Sequence, residues 1–160
     1  MARPACPPKR RLAEPVTIWE RSIPSLGVSM ANPQHVELLR KDVDAWNEWR
    51  AGNGHVIPDL AGADLTALNL VFANLTDSDL SDARLVMANL EGADLRWARL
   101  RRANLVGARL IGVDLDEADL SGADLSTAED LTQGDIERAR GDAETLLPAG
   151  LLRPAAWSRA

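Results

Sequence analysis

Leucine occupies every fifth position from Leu60 to Leu125 without a gap, fourteen times in all, and this spacing decides what the chain can fold into. On an α-helix, five residues advance about 500°, so the leucines would spiral around every face. On a flat strand, a step of five alternates sides. Neither element buries a leucine stripe. A chain that turns a corner after each short extended piece does bury one. Within each piece the leucine (i) and residue i−2 point inward, and i−1 points outward. Residue i−2 is alanine in ten of the fourteen units, as a narrow interior requires. Residue i−1 is always Asp, Asn or Arg. Pro58, Leu68, Ser78 and Val113 replace the alanine, and the bulk of Leu68 and Val113 is expected to widen the coil locally.

Units such as Ala63-Asp64-Leu65-Thr66-Ala67 and Ala93-Asp94-Leu95-Arg96-Trp97 resemble those of the pentapeptide-repeat family. The resemblance covers residues 58–127. It implies a mainly β fold, a right-handed quadrilateral parallel β-helix with four units per coil. Fourteen units then make three and a half coils, a column roughly 17 Å tall at strand spacing.

A solenoid needs both ends covered. Upstream, Asn32-Pro33 reads as N-cap and first helical residue. Val36, Leu39, Val43 and Trp46 follow at helical spacing, with Trp49 beside them. The expectation is one amphipathic helix over residues 33–51, ended by Gly52 and Gly54. Its tryptophans cover the first coil. Downstream, Leu131 falls six residues after Leu125, so the register breaks. Thr132 with Asp135 resembles a capping box opening a short helix to about Arg140. Leu147 to Pro154 with Trp157 is expected to form an irregular lid. The domain plan is therefore residues 1–29 as a disordered extension, 30–57 as N-terminal cap and connector, 58–127 as β-helix and 128–160 as C-terminal cap. Both flanks resemble those of bacterial pentapeptide-repeat proteins, which leads to the expectation of a stand-alone repeat protein. Residues 1–29 are proline-rich and carry five basic against two acidic residues. Met30 stands as an alternative start, distinguishable by the intact mass of the native protein.

The formal charge of −6 argues against direct binding to nucleic acid. No apolar run approaches the ~18 residues of a membrane span, and no signal peptide is legible. With Cys6 as the single cysteine, there is no internal disulfide, which fits a cytoplasmic protein. His35 and His55 have no partner at metal-ligand spacing. The serine-nucleophile pattern is absent, and Gly52-Asn53-Gly54 reads as a helix stop. The repeated aspartates lack the double-glycine pattern of calcium-binding β-rolls. No catalytic residue, metal ligand or cofactor is therefore named, and the chain reads as a non-catalytic interaction or structural module.

With four units per coil, residues twenty apart stack in columns. Arg96, Arg99, Arg101, Arg102 and Arg109 form a candidate basic belt for an acidic partner. The competing reading is an ion-pair ladder in which each arginine damps the acids of adjacent coils, with Arg101-Arg102 as the best exception. Val71, Phe72, Val86, Met87, Val106 and Ile111 form a candidate apolar interface at nominally outward positions. Its cover is the N-terminal segment, the C-terminal tail or another chain, and a homodimer is the simplest case of the last. The resemblance also implies an alternative. Some family members, including quinolone-resistance proteins, bind DNA gyrase by resembling B-DNA. Residues 58–127 hold twelve acids and six arginines. B-DNA carries a charge every ~1.7 Å, about ten over such a column, so the arginine band weakens this alternative.

Overall fold

The structure, a computed structural model, describes residues 30–159. The expectations for residues 1–29 fall outside the described residues. The repeat region is a parallel coil with a register of twenty. Asp59 bridges Asp79, Asp64 bridges Arg84, Asn69 bridges Asn89 and Asn74 bridges Asp94, and the same four columns continue to Glu129. Each rung rests on two backbone bonds. Leu60 N–H donates to Asp79 C=O at 2.8 Å, and Asp79 N–H donates to Pro58 C=O at 2.8 Å. All fourteen leucines are at most 1 % exposed, so the axis is filled and contains no channel. Bulk at i−2 does not disturb the register. Leu68 is half-buried, Val113 is buried, and the bridges at Asn69 and Asp114 keep the spacing of twenty.

The corners explain the rest of the unit. From Leu65 onward, the N–H two residues before each leucine donates back to the preceding leucine C=O, as from Ala63 to Leu60 at 3.0 Å. The second residue after the leucine has φ between 57° and 71° in thirteen of the fourteen units, which makes a type II turn. Eight of those thirteen are not glycine, Phe72, Met87 and Trp97 among them. Each such residue costs roughly 1 kcal/mol of backbone strain. Leucine burial, about 1.5–3 kcal/mol per side chain, offsets it. Thr127, β-branched, is the exception; its hydroxyl accepts the Gly107 N–H at 3.0 Å in place of a backbone carbonyl.

The expected single cap helix is two helices. α1 spans Pro33–Lys41 and α2 spans Val43–Gly52. Asp42, at φ −167° and ψ 126°, breaks them. Its N–H closes α1 on Leu38 C=O, and its carboxylate accepts the Asp44 N–H to open α2. The intended face survives the break. Leu39 and Trp46 are buried, and Val36, Val43 and Trp49 pack beside them.

The cap also supplies polar partners to the open edge of the first coil. Asn32 N–H donates to Asp59 C=O at 3.0 Å. His35 Nδ1 accepts the Asp59 N–H at 3.0 Å. Arg40 donates to Asp64 C=O. Trp46 Nε1 donates to Asn74 C=O at 2.8 Å, and Asn47 Oδ1 accepts the Asn74 N–H at 2.8 Å. Buried Arg50 bridges the Val56 and Thr76 carbonyls at 2.8 and 3.0 Å. Exposed strand edges need such cover to avoid adventitious pairing.

At the other end, α3 spans Gln133–Arg138 behind the expected Thr132–Asp135 capping box. Two rungs precede the segment expected to be an irregular lid, and residues 147–154 themselves carry no helix or bridge. Arg140 bridges Asp119 and Leu146 bridges Asp124, adding two rungs at spacings of 21 and 22 residues. Gly141 takes the place of the next inward leucine. A Cβ there would lie 2.6 Å from the Trp157 ring, which fills the position from the closing 3-10 helix Ala155–Arg159. Trp157 is buried and donates Nε1–H to Ala139 C=O at 3.2 Å.

Two expectations follow. Ser78 is fully buried in the axis and its hydroxyl has no partner among the described residues. Ser78→Ala is expected to raise stability by about 1 kcal/mol, read from the urea midpoint. His35 is held below its ordinary value of 6.5, chiefly by burial against the cap; the nearby Asp59 carboxylate opposes that shift and Arg50 adds to it. The unfolded chain therefore takes up the proton first. Stability is expected to be complete above about pH 6.5 and to decline as pH falls below it. Protonation also destroys the Nδ1 acceptor that holds the Asp59 N–H. His35→Gln should flatten the melting temperature between pH 7 and pH 5, and an unchanged slope would assign it elsewhere.

Candidate interaction surface

The outward residue i−1 has a local task that spacing alone did not reveal. In eleven of the fourteen units its side-chain oxygen accepts the N–H of residue i+1, as in Asp79 to Ser81 at 3.0 Å and Asn104 to Val106 at 3.0 Å. The three units without this bond carry Arg84, Arg99 and Arg109. Asp and Asn are favoured there because a short side-chain acceptor satisfies the turn amide. Seven of the twelve acids in residues 58–127 serve this role.

Four of the five belt arginines lie beside carboxylates. Arg102 makes a two-pronged bond with Asp82, one coil away, at 2.9 and 2.8 Å. That bond holds Asp82 below the ordinary carboxylate range and raises the Arg102 guanidinium. Arg96 grips Asp94 in its own unit at 2.9 and 2.7 Å, and its guanidinium carbon lies 5.4 Å from the Trp97 ring centroid. Burial acts to raise Asp94, but the Arg96 bonds outweigh it and its value is lowered. Arg99 is 3.9 Å from Asp79. Arg101, with serines above and below it, reaches diagonally to Asp119 at 3.7 Å. Arg109 makes no ion pair among the described residues.

The apolar candidates separate into groups. Val86 and Val106 occupy the same column one coil apart, both half-buried. Phe72 is 68 % exposed and lies over Gly92; a Cβ on that glycine would fall 2.3 Å from Cε1 of the ring. Met87 is 65 % exposed, with its sulfur over Gly107 at 2.5 Å from a Cβ built there. Gly92 and Gly107 thus give the left-handed corner and also room for the side chain one coil away. Val71 and Ile111 share a column, but Glu91 stands between them. Val71 instead lines a cleft beneath the α1–α2 break. Phe72 and Met87 stand on successive corners, one at each side of the Asn69–Asn89 face. The C-terminal tail does not cover this face, because Trp157 is seated on Gly141 at the end of the coil. Among the described residues, no helix is long and apolar enough to cross a membrane.

With this geometry in place, comparison with known proteins is direct. The family model for pentapeptide repeats matches eight copies over residues 59–96 and 93–129. The chain belongs to the pentapeptide-repeat family, whose coils are right-handed β-helices. Solved relatives include a pentapeptide repeat protein from Nostoc Pcc 7120, 34 % identical over 56 % of this chain and 69 % of that one, with a TM-score of 0.44. A second, from the Arabidopsis thaliana thylakoid lumen, is 28 % identical over 59 % of this chain and 57 % of its own, with a TM-score of 0.34. A third, from the cyanobacterium Cyanothece 51142, is 39 % identical over 52 % of this chain and 63 % of its own, with a TM-score of 0.21. No curated protein matches the chain.

Phe72 and Met87 contribute little to the fold at these exposures. Phe72→Asp and Met87→Asp are expected to change stability by no more than about 0.5 kcal/mol. Leu90→Ala in the axis should cost about 2–5 kcal/mol. Parallel urea titrations of the three variants check this contrast.

Proposed function

We propose that this protein is a non-catalytic, cytoplasmic interaction module, a rigid scaffold that presents the face between Phe72 and Met87 to a protein partner. The observation that carries the reading is the exposure of these two large apolar side chains, 68 % and 65 %, each over a glycine of the next coil. Exposed apolar clusters on an otherwise polar surface mark interfaces. Val86 and Val106 extend the Met87 side of this face along the coil axis, and a second copy of the chain is the simplest partner. The basic belt is the weaker candidate, since four of its arginines already lie beside carboxylates. Gyrase binding through DNA mimicry also has less support. Most acids of the coil hold turn amides, and the arginine pairs interrupt any continuous negative stripe.

Sedimentation velocity over a wide concentration range tests the reading. The expected result is a dimer that Phe72→Asp and Val106→Asp each convert to monomer. A parent that stays monomeric removes self-association, and a dimer untouched by both variants removes this face. Gyrase supercoiling is expected to be unaffected by the purified protein, and its inhibition would favour the alternative.

A further inference from the structure

The open edge of the first coil is covered selectively. In the ladder, each i−1 residue gives its N–H to the coil above, and its C=O accepts an N–H from that coil. Above the first coil no further coil exists, so the cap must supply both. Asp59 has both groups paired, by His35 and Asn32. Asn74 has both paired, by Asn47 and Trp46. Asp64 has its carbonyl paired by Arg40. Asn69 has neither: no group among the described residues pairs with its N–H or its C=O. Its side-chain oxygen is turned to the Val71 N–H at 3.3 Å, and the residue is exposed.

The α1–α2 break leaves this rung uncovered. Residue 49, twenty before Asn69, is a tryptophan within α2 and cannot act as a rung. Asp42 turns the chain there, and an open cleft of about 390 Å³ lies between the break and Asn69. Leu39, Val43, Leu68 and Val71 give it apolar groups, and the segment around the break adds two charges of each sign. The size falls within the range of ligand pockets, roughly 300–1,000 Å³.

We propose that the Asn69 rung is a docking site for an extended segment of a partner protein with the residue order small–polar–apolar. The ladder's own geometry states how it would sit. The segment runs parallel to Leu68–Asn69–Leu70, as the next coil of the solenoid would. The carbonyl of its first residue accepts the Asn69 N–H, and the N–H of its third donates to the Asn69 carbonyl. Its first and third side chains face the cleft on the side of Leu68 and Val71, and its second faces solvent. A paired donor and acceptor at strand spacing select a peptide backbone, the mode of recognition by strand addition. Cleft charges of opposite sign suit an uncharged segment. The proposal rests on the reading of the chain as an interaction module but does not depend on the exposed Phe72 and Met87.

The test uses the full chain and an acetylated, amidated peptide Ser-Ala-Asn-Leu-Ser-Gly, with the same peptide N-methylated at leucine as its control. Titration followed by amide NMR is expected to show saturable binding centred on Asn69, weakened about tenfold by N-methylation, which removes one donor and strands its acceptor. Hydrogen exchange at Asn69 should be fast in the free chain and slowed by the peptide. Asn69→Pro removes a donor that the free fold does not use, but also the Oδ1 that accepts the Val71 N–H. Asn69→Ala, which loses only that acceptor, therefore sets the baseline: Asn69→Pro should melt where Asn69→Ala does and, unlike it, lose the peptide. Equal binding of both peptides, or of neither, would overturn the proposal even if Asn69→Pro failed to fold. Slow exchange at Asn69 without peptide overturns it as well. Such protection assigns the rung to residues 1–29 if independent of concentration, and to a second copy if it grows with concentration. The role of Phe72 and Met87 is read separately by sedimentation, so either surface can fail alone.

Discussion

The backbone ladder between coils is the interaction on which the rest of this structure depends. Each unit places one N–H and one C=O of residue i−1 in register with residues twenty away, and the leucine of every unit is buried behind that rung. The two conditions reinforce each other. Leucines stack only if every coil has the same number of residues, and the ladder closes only if every corner turns at the same place. Eight non-glycine residues are therefore held in left-handed corners that they would not choose alone. Where the ladder changes spacing, near Arg140 and Leu146, the core changes with it: glycine replaces leucine, and a distant tryptophan fills the gap.

The surface follows from the same constraint. A corner leaves the amide of residue i+1 without a backbone partner, and Asp or Asn at i−1 accepts it. Much of the negative charge on the coil is thus a by-product of satisfying turns. The arginines lie close enough, one coil away or within a unit, to moderate that charge. These exposed pairs hold few side chains rigidly, and surface ion pairs add little stability. What the turns and pairs do not explain is the pair of exposed apolar side chains, Phe72 and Met87, and the bare rung at Asn69. Those two features carry the functional reading.

Much of the architecture is legible in the residues. The unbroken leucine period, the small residue at i−2 and the Asn32-Pro33 and Thr132–Asp135 caps each stand for a local requirement, and each has its counterpart in the fold. Helical spacing does not reveal the break at Asp42, because Leu39, Val43 and Trp46 keep one face through it. The available signal is Asp42 itself, a residue type that favours helix N-caps, followed by Asp44 in the first turn. The C-terminal rungs escape the period because their spacing is 21 and 22, and a fixed repeat cannot register insertions. Column positions alone make the apolar patch look continuous, because they ignore what lies between; Glu91 separates Val71 from Ile111.

The sequence by itself determined that this chain stacks, how many residues make a coil and which side chains fill the axis. Those properties are local and periodic, so a repeat states them fourteen times over. Only the tertiary structure decided how the ends are closed. Trp157 on Gly141, Arg50 across the Val56 and Thr76 carbonyls, and the cap helices that serve Asp59 and Asn74 but pass by Asn69 join residues far apart in the chain. Each depends on where a non-repeating segment comes to rest, and no period encodes that.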